Sequence, residues 1–126
     1  MAAQRILIVD DDAQILGYFL KVLAARGYTV TGTTSGQDVI ESAADAPYDL
    51  AILDISMPEV GGFEILKALR ARNPHMKIVV ISGAMPGLML ESARIFGATS
   101  TLTKPVSPES LIAAVRHAFE AARAAS

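Results

Sequence analysis

The feature that most constrains this chain is an alternation of two periodicities. Short apolar runs rich in β-branched residues occupy 5–10, 28–33, 48–54, 77–82 and 99–103, and longer segments with helical spacing fill 14–26, 37–46, 62–72, 88–96 and 108–123. The cores of three runs, ILIV, LAIL and IVVI, are continuous rather than alternating, which is the pattern of strands covered on both faces. Five strand–helix repeats with short links predict an α/β domain, a parallel sheet flanked by helices and joined by right-handed crossovers. The punctuation agrees. Asp12 stands at the N-cap of the first helix and Gly27 at its C′ position, Ser35 can cap the second and Pro47 follows its end. Asn73-Pro74 closes the third helix, Gly97 follows the fourth, and Ser107-Pro108-Glu109 opens the fifth.

At 126 residues the chain has the length of one domain, and residues 1–126 are expected to form a single unit with a core from about 5 to 123. Hydrophobic residues make up 52%, yet charges interrupt every stretch before a membrane span is complete, so no membrane partner is expected. The opening MAAQRILIVDDD reaches three aspartates before an export signal forms, which points to a soluble, cytoplasmic protein. Cysteine is absent, which removes disulfides and cysteine-ligated metals, and His75 and His117 are too few for a histidine-built centre. A net charge of −2 leaves no basic footprint for nucleic acid.

In a parallel sheet, binding groups collect at the C-terminal ends of the strands. The chemistry-bearing residues stand there: Asp10-Asp11-Asp12 after the first run, Asp54 after the third, Ser82 after the fourth and Lys104-Pro105 after the fifth. The second run ends in the uncharged Thr33-Thr34-Ser35. Carboxylates crowded at one end of a sheet repel, which a raised pKa or a bound cation relieves. An all-oxygen donor set selects a hard ion, Mg²⁺ or Mn²⁺. Such an ion, the charge of Lys104, the hydroxyl of Ser82 and a carboxylate nucleophile together make a receptor for a phosphoryl group. Helix capping alone explains Asp12, whereas it explains neither Asp10 nor Asp11.

Four segments then carry a family likeness: VDDD after the opening strand, LDISMP around Asp54, Ser82 after IVVI, and LTKP at Lys104. The successive steps, Asp11 to Asp54, Asp54 to Ser82 and Ser82 to Lys104, are 43, 28 and 22 residues. In these segments the chain resembles the receiver domains of two-component response regulators, from residue 5 to about 123. The resemblance implies a flavodoxin-like, doubly wound sheet of five parallel strands in the order 2-1-3-4-5, with five helices. It implies that Asp54 is the phosphoacceptor, taking a phosphoryl group from the phosphohistidine of a sensor histidine kinase or a histidine phosphotransfer protein. Asp10 and Asp11 would hold Mg²⁺, with Asp11 the direct ligand, helped by Asp54 and the backbone carbonyl of Ser56. Lys104, ahead of a cis Pro105, would pair with the phosphoryl oxygens, and Ser82, in place of the usual threonine, would move toward them on activation. A protein of this kind catalyses its own phosphotransfer and dephosphorylation and is not otherwise an enzyme.

The chain also departs from the pattern. Thr101 occupies the place where many receivers carry an aromatic ring that turns inward on activation, and it has no ring to turn. Gly61 replaces a common acidic or polar residue, and Gly83 a common alanine. In Met85-Pro86-Gly87-Leu88-Met89-Leu90, four large apolar side chains cluster where polar residues are usual, which leaves two readings: simple core packing, or a docking surface for a downstream protein that includes Leu88 and Met89. The chain ends just after the fifth helix, which suggests a stand-alone switch without an output domain, a monomer or weak dimer that signals through surface contacts. A rival reading is a phosphorylation-independent interaction module: Thr101 favours it, and the full set of Asp10, Asp11, Asp54, Ser82 and Lys104 opposes it. An aspartyl phosphatase would want a second carboxylate two residues after its nucleophile, where Ser56 stands. A flavin protein of this topology would want a phosphate-cradling loop after the first strand, and none follows it.

Overall fold

The computed structural model describes residues 3–42, 48–56, 61–83 and 87–125, with the side chains at 42, 87–90 and 121–125 left out of the description. The elements alternate along the chain as β1 (Arg5–Val9), α1 (Ala13–Ala24), β2 (Thr29–Thr33), α2 (Gly36–Ser42), β3 (Leu50–Asp54), α3 (Gly62–Arg72), β4 (Lys77–Ser82), α4 (Gly87–Ile95), β5 (Ser100–Thr103) and α5 (Pro108–Ala125). The strands form one parallel sheet in the order β2-β1-β3-β4-β5. The doubly wound topology expected from the family likeness is therefore the topology of the chain.

Strand periodicity explains the continuous apolar runs. Leu7, Val9, Ala51, Leu53, Ile78 and Val80 face one side of the sheet, where Val39 of α2, Ile65, Leu66 and Leu69 of α3 and Ala93 of α4 cover them. The intervening Ile6, Ile8, Leu50, Ile52, Val79 and Ile81 face the other side, beneath Leu16, Phe19 and Leu23 of α1 and Leu111, Val115 and Phe119 of α5. Successive strand residues point to opposite faces, so a strand buried on both must be apolar throughout. β2 and β5 are the edges, and their sequences TVTGT and STLT are correspondingly polar and half-buried.

Local chemistry sets the helix ends. The Asp12 carboxylate accepts from the amides of Gln14 and Ile15, Ser35 Oγ from Asp38, and Ser107 Oγ from Ser110, which satisfies amides that have no partner inside the helix. α1 stops at Ala24 rather than at residue 26. Its last turn tightens into bonds from Arg26 to Leu23 and from Gly27 to Ala24, and because the cap falls on Ala25, the positive φ of 93° at Gly27 comes one residue after the C′ position instead of at it. Gly97, with φ 115°, turns the chain after α4 as expected. α2 is described only to Ser42, and Pro47 lies outside the described residues. β3 begins at Leu50, and Asp49 before it ties the strand to both neighbours: its amide donates to the Arg5 carbonyl, its carbonyl accepts from the Lys77 amide, and its carboxylate accepts the Arg5 amide.

Arg70 ties α3 to its surroundings in a way its sequence position does not announce. Its guanidinium donates to the Gly97 carbonyl through Nε (3.1 Å) and Nη2 (2.6 Å), and Nη1 reaches the carbonyls of Asn73, Pro74 and Met76. Beside it Phe96 packs edge-on against Phe63 and lies under the Lys67 ammonium, 4.4 Å from the ring centroid. The C-terminal end of α4 is thereby fastened to α3.

Candidate functional site

The register aligns the strand ends that carry the polar residues. Val9 pairs with Thr33 on one side and Leu53 on the other, Asp54 with Ile81, and Ser82 with Thr103. Asp10 leaves β1 with its amide bonded to the Thr33 carbonyl, and Lys104 leaves β5 with its amide bonded to the Ser82 carbonyl at 2.7 Å. Four strand ends thus meet at one pole of the sheet, where the topology of open α/β sheets places ligands.

Asp54 is at the centre and is 2% exposed. Its Oδ2 pairs with Lys104 Nζ at 2.8 Å, and its Oδ1 accepts from the Ser56 amide at 2.9 Å and from Ser56 Oγ at 2.7 Å. Burial pushes this carboxyl up, but the Lys104 ammonium and the two Ser56 donors outweigh it and hold Asp54 below the ordinary carboxylate range. Burial also works against the charge on Lys104, and its bond to Asp54 with the nearby carboxylates overcomes that and holds it above its ordinary value. Asp54 is an anion with a carboxylate's four lone-pair sites, three of them engaged.

Asp10 is 1% exposed and differently placed. Its Oδ1 accepts from the Asp12 amide at 2.9 Å, while its Oδ2 is buried and has no hydrogen-bond partner among the described residues. Burial is the main force raising its pKa; the Asp12 amide opposes it, and the charges of Asp54 and Asp11 add to the rise. Asp11 is exposed, and one carboxylate oxygen from each of Asp10, Asp11 and Asp54 lies within 4.8 Å of the others. A divalent cation fits this arrangement. The donors are all oxygen, three negative charges converge, and a buried carboxylate oxygen lacks the partner that such atoms almost always have.

The remaining sequence candidates are distributed as follows. Ser82 is fully buried, with its hydroxyl donating to the Gly83 carbonyl at 3.2 Å. Thr101 sits on β5 opposite Val80 and is partly buried. The Lys104–Pro105 peptide is cis, as expected. Leu88 and Met89 fall on the first turn of α4, but their side chains, like residues 84–86, lie outside the description, so the expected docking surface is not visible. His75 and His117 are both exposed.

Two features escaped sequence reasoning. One is the bond from the Ser56 hydroxyl to Asp54, since the family likeness points only to the carbonyl of Ser56. The other is an apolar groove of about 510 Å³ beside Lys104, lined by Ile15, Tyr18 and Phe19 of α1 and by Pro105 and Val106. Its signal was the run ILGYF at the start of α1, which places more apolar residues on that turn than one core-facing stripe needs. Among the described residues no helix is long and apolar enough to cross a membrane.

Known proteins resemble this chain in sequence and in fold. The family model for the response regulator receiver domain matches residues 6–116. Chemotaxis protein CheY of Thermotoga maritima is 31% identical over 113 residues, covering 89% of this chain and 94% of that protein. Cell cycle response regulator CtrA of Brucella ovis is 30% identical over 112 residues, 88% of this chain and 48% of CtrA, so the chain spans about half the length of that relative. Among solved structures, a CheY-like response regulator receiver domain protein from Methanospirillum hungatei superposes with a TM-score of 0.93 at 26% identity, covering 99% of this chain and all of that one. Chemotaxis protein CheY4 of Vibrio cholerae superposes with a TM-score of 0.86 at 28% identity, over 93% and 99% of the two chains. The chain belongs to the response regulator receiver domain family of two-component signalling.

Proposed function

We propose that the protein is an Mg²⁺-dependent phosphorylation switch in which Asp54 accepts a phosphoryl group from the phosphohistidine of a sensor histidine kinase or a histidine phosphotransfer protein. The observation that carries this reading is the state of Asp54: buried, ionised and aimed by Lys104 and Ser56, at the pole where Asp10 and Asp11 converge. A carboxylate oxygen of Asp54 forms the new P–O bond as the P–N bond of the donor breaks. The electron pair of that bond returns to the imidazole, which takes up a proton from solvent. Lys104 exchanges its carboxylate partner for a phosphoryl oxygen and so holds the transferred charge. Ser82 supplies a hydroxyl donor to the same group. Hydrolysis reverses the gain: water adds to phosphorus, the P–O bond breaks, and inorganic phosphate leaves Asp54 as a carboxylate.

Asp10, Asp11 and Asp54, with the Ser56 carbonyl, would hold Mg²⁺ or Mn²⁺, which when bound neutralises charge on the phosphoryl oxygens. The groove formed by Ile15, Tyr18, Phe19, Pro105 and Val106 flanks Lys104 and is mostly apolar, which suits a helix of the phosphodonor protein lying beside the reacting histidine. Output passes to a protein partner in the cytoplasm, with Thr101 on the face toward α4 transmitting the state of Ser82 without an aromatic ring.

The test is incubation with phosphoramidate and Mg²⁺ followed by intact-mass measurement. One phosphoryl adduct with the base lability of an acyl phosphate, absent from Asp54→Ala, is the expected result. An adduct that persists in Asp54→Ala refutes the assignment.

A further inference from the structure

The N-terminus of α3 rests directly on the backbone that follows Asp54, with no side chain between them. We propose that Gly62 is a positioning residue for the Asp54 site, and that its missing side chain sets the path of the Ile55–Ser56 backbone. A Cβ at Gly62 would stand 2.2 Å from Ile55 Cα, 2.4 Å from its carbonyl oxygen and 2.6 Å from its carbonyl carbon. Carbon atoms pack at about 3.5–4.0 Å, so a methyl group here must move backbone, not a side-chain tip. Neither element has slack. The Ile55 amide is fastened to the Ile81 carbonyl at 3.0 Å, and α3 is anchored by the buried Ile65, Leu66 and Leu69.

What moves is the segment that orients Asp54. Ser56, the next residue, supplies both donors to Asp54 Oδ1, and its carbonyl is the proposed fourth oxygen for the metal. Displacing Ile55 by the distance a methyl requires detaches or re-aims these groups. The adjacent glycine makes the contrast: a Cβ at Gly61 would meet Glu64 Cγ at 3.7 Å, an ordinary contact. Two neighbouring glycines thus have different reasons to be there, and Gly62 acts through Ser56 on the site. The proposal rests on the reading of Asp54 as a phosphoacceptor beside an Mg²⁺ site.

The experiment compares Gly62→Ala, Gly61→Ala and Leu69→Ala with the wild-type chain. Mg²⁺ affinity is measured by calorimetry, exchange of the Ser56 amide by NMR without metal, thermal stability by circular dichroism, and phosphorylation with phosphoramidate as donor. Gly62→Ala is expected to lose about 10–100-fold in Mg²⁺ affinity, as substitutions behind a metal site do, and to expose the Ser56 amide to faster exchange. Gly61→Ala keeps both, and Leu69→Ala loses stability through its cavity while keeping the affinity of the folded protein. If Gly62→Ala is partly unfolded in buffer, the measurements are made in trimethylamine N-oxide, which favours the folded chain. Wild-type affinity and exchange in Gly62→Ala, an equal loss in Leu69→Ala, or a Gly62→Ala chain that stays unfolded even in the osmolyte would overturn the proposal. A wild-type chain that neither binds Mg²⁺ nor accepts a phosphoryl group would instead overturn the reading beneath it.

Discussion

Replacing Asp10 by Asn should make the metal-free protein more stable and at the same time remove most of its response to Mg²⁺. Asp10 is a buried anion with one oxygen held by the Asp12 amide and the other without a partner among the described residues, close to Asp11 and Asp54. Asn keeps the acceptor for Asp12 and turns the orphaned oxygen into a donor toward the neighbouring carboxylates. An unsatisfied buried polar group costs about 1–3 kcal/mol, so the variant should gain roughly that much. At about 3–4 °C per kcal/mol for a domain of this size, its melting temperature in EDTA at neutral pH should rise by roughly 3–12 °C. The sign of the pH dependence follows from the raised pKa of Asp10. The folded state holds this proton more tightly than the unfolded one, so ionised Asp10 destabilises above its native pKa. The advantage of Asp10→Asn therefore fades as pH falls through that raised value toward 3.8. Mg²⁺ reverses the comparison. At ten times its dissociation constant it adds about 1.4 kcal/mol to the wild type, and the variant, with one ligand charge gone, should gain far less. Calorimetric melting with EDTA and with excess magnesium chloride measures both arms. A variant no more stable than wild type in EDTA, or one that gains as much from Mg²⁺, would refute the account of Asp10.

Further outcomes follow from other parts of the structure. Lys104→Met removes the cation paired with Asp54; because Lys104 is 26% exposed, the stability loss should be about 1–2 kcal/mol, below the range for fully buried pairs. Since the native pKa of Asp54 is lowered, the wild-type pair stabilises above 3.8 and that contribution is lost as pH falls through the native value, so acid titration by circular dichroism should show the two proteins converging at low pH. Arg70→Ala leaves the Gly97 and Met76 carbonyls without their guanidinium and should cost about 3 kcal/mol in urea denaturation, with phosphorylation by phosphoramidate unchanged. Tyr18→Asp places a charge in the apolar groove and should slow transfer from a phosphohistidine protein at least about tenfold, the equivalent of roughly 1.4 kcal/mol, while leaving transfer from phosphoramidate intact; equal slowing from both donors would move the groove out of the docking surface.

Much of this architecture is legible in the sequence because burial on both faces leaves a strong trace. ILIV, LAIL and IVVI are continuous runs that became β1, β3 and β4. The edges left weaker traces, since the Thr and Ser residues of β2 and β5 answer to half-exposure. Helix ends marked by side-chain caps, such as Asp12, Ser35 and Ser107, fell where expected, whereas α1 ended early because backbone bonds of its last turn, invisible in composition, closed it first. Asp10, Asp54 and Lys104 could be grouped in advance because parallel strands deliver their ends to one pole. The Ser56 hydroxyl, Arg70 and Gly62 could not be read in the same way. The partners of Arg70 are carbonyls of two separate connections, 73–76 after α3 and Gly97 after α4, and the neighbour of Gly62 is backbone, which carries no residue identity.

The central claim is that Asp54 is the acceptor and that Lys104 and the acidic cluster equip it. Phosphoramidate labelling in the presence of Mg²⁺, with peptide mapping after borohydride trapping, tests it most directly. The account predicts a single reduced, formerly phosphorylated residue at Asp54, formed only with a divalent cation and lost in Asp54→Ala. Labelling at another residue, or labelling at Asp54 that proceeds equally well in EDTA, would contradict it.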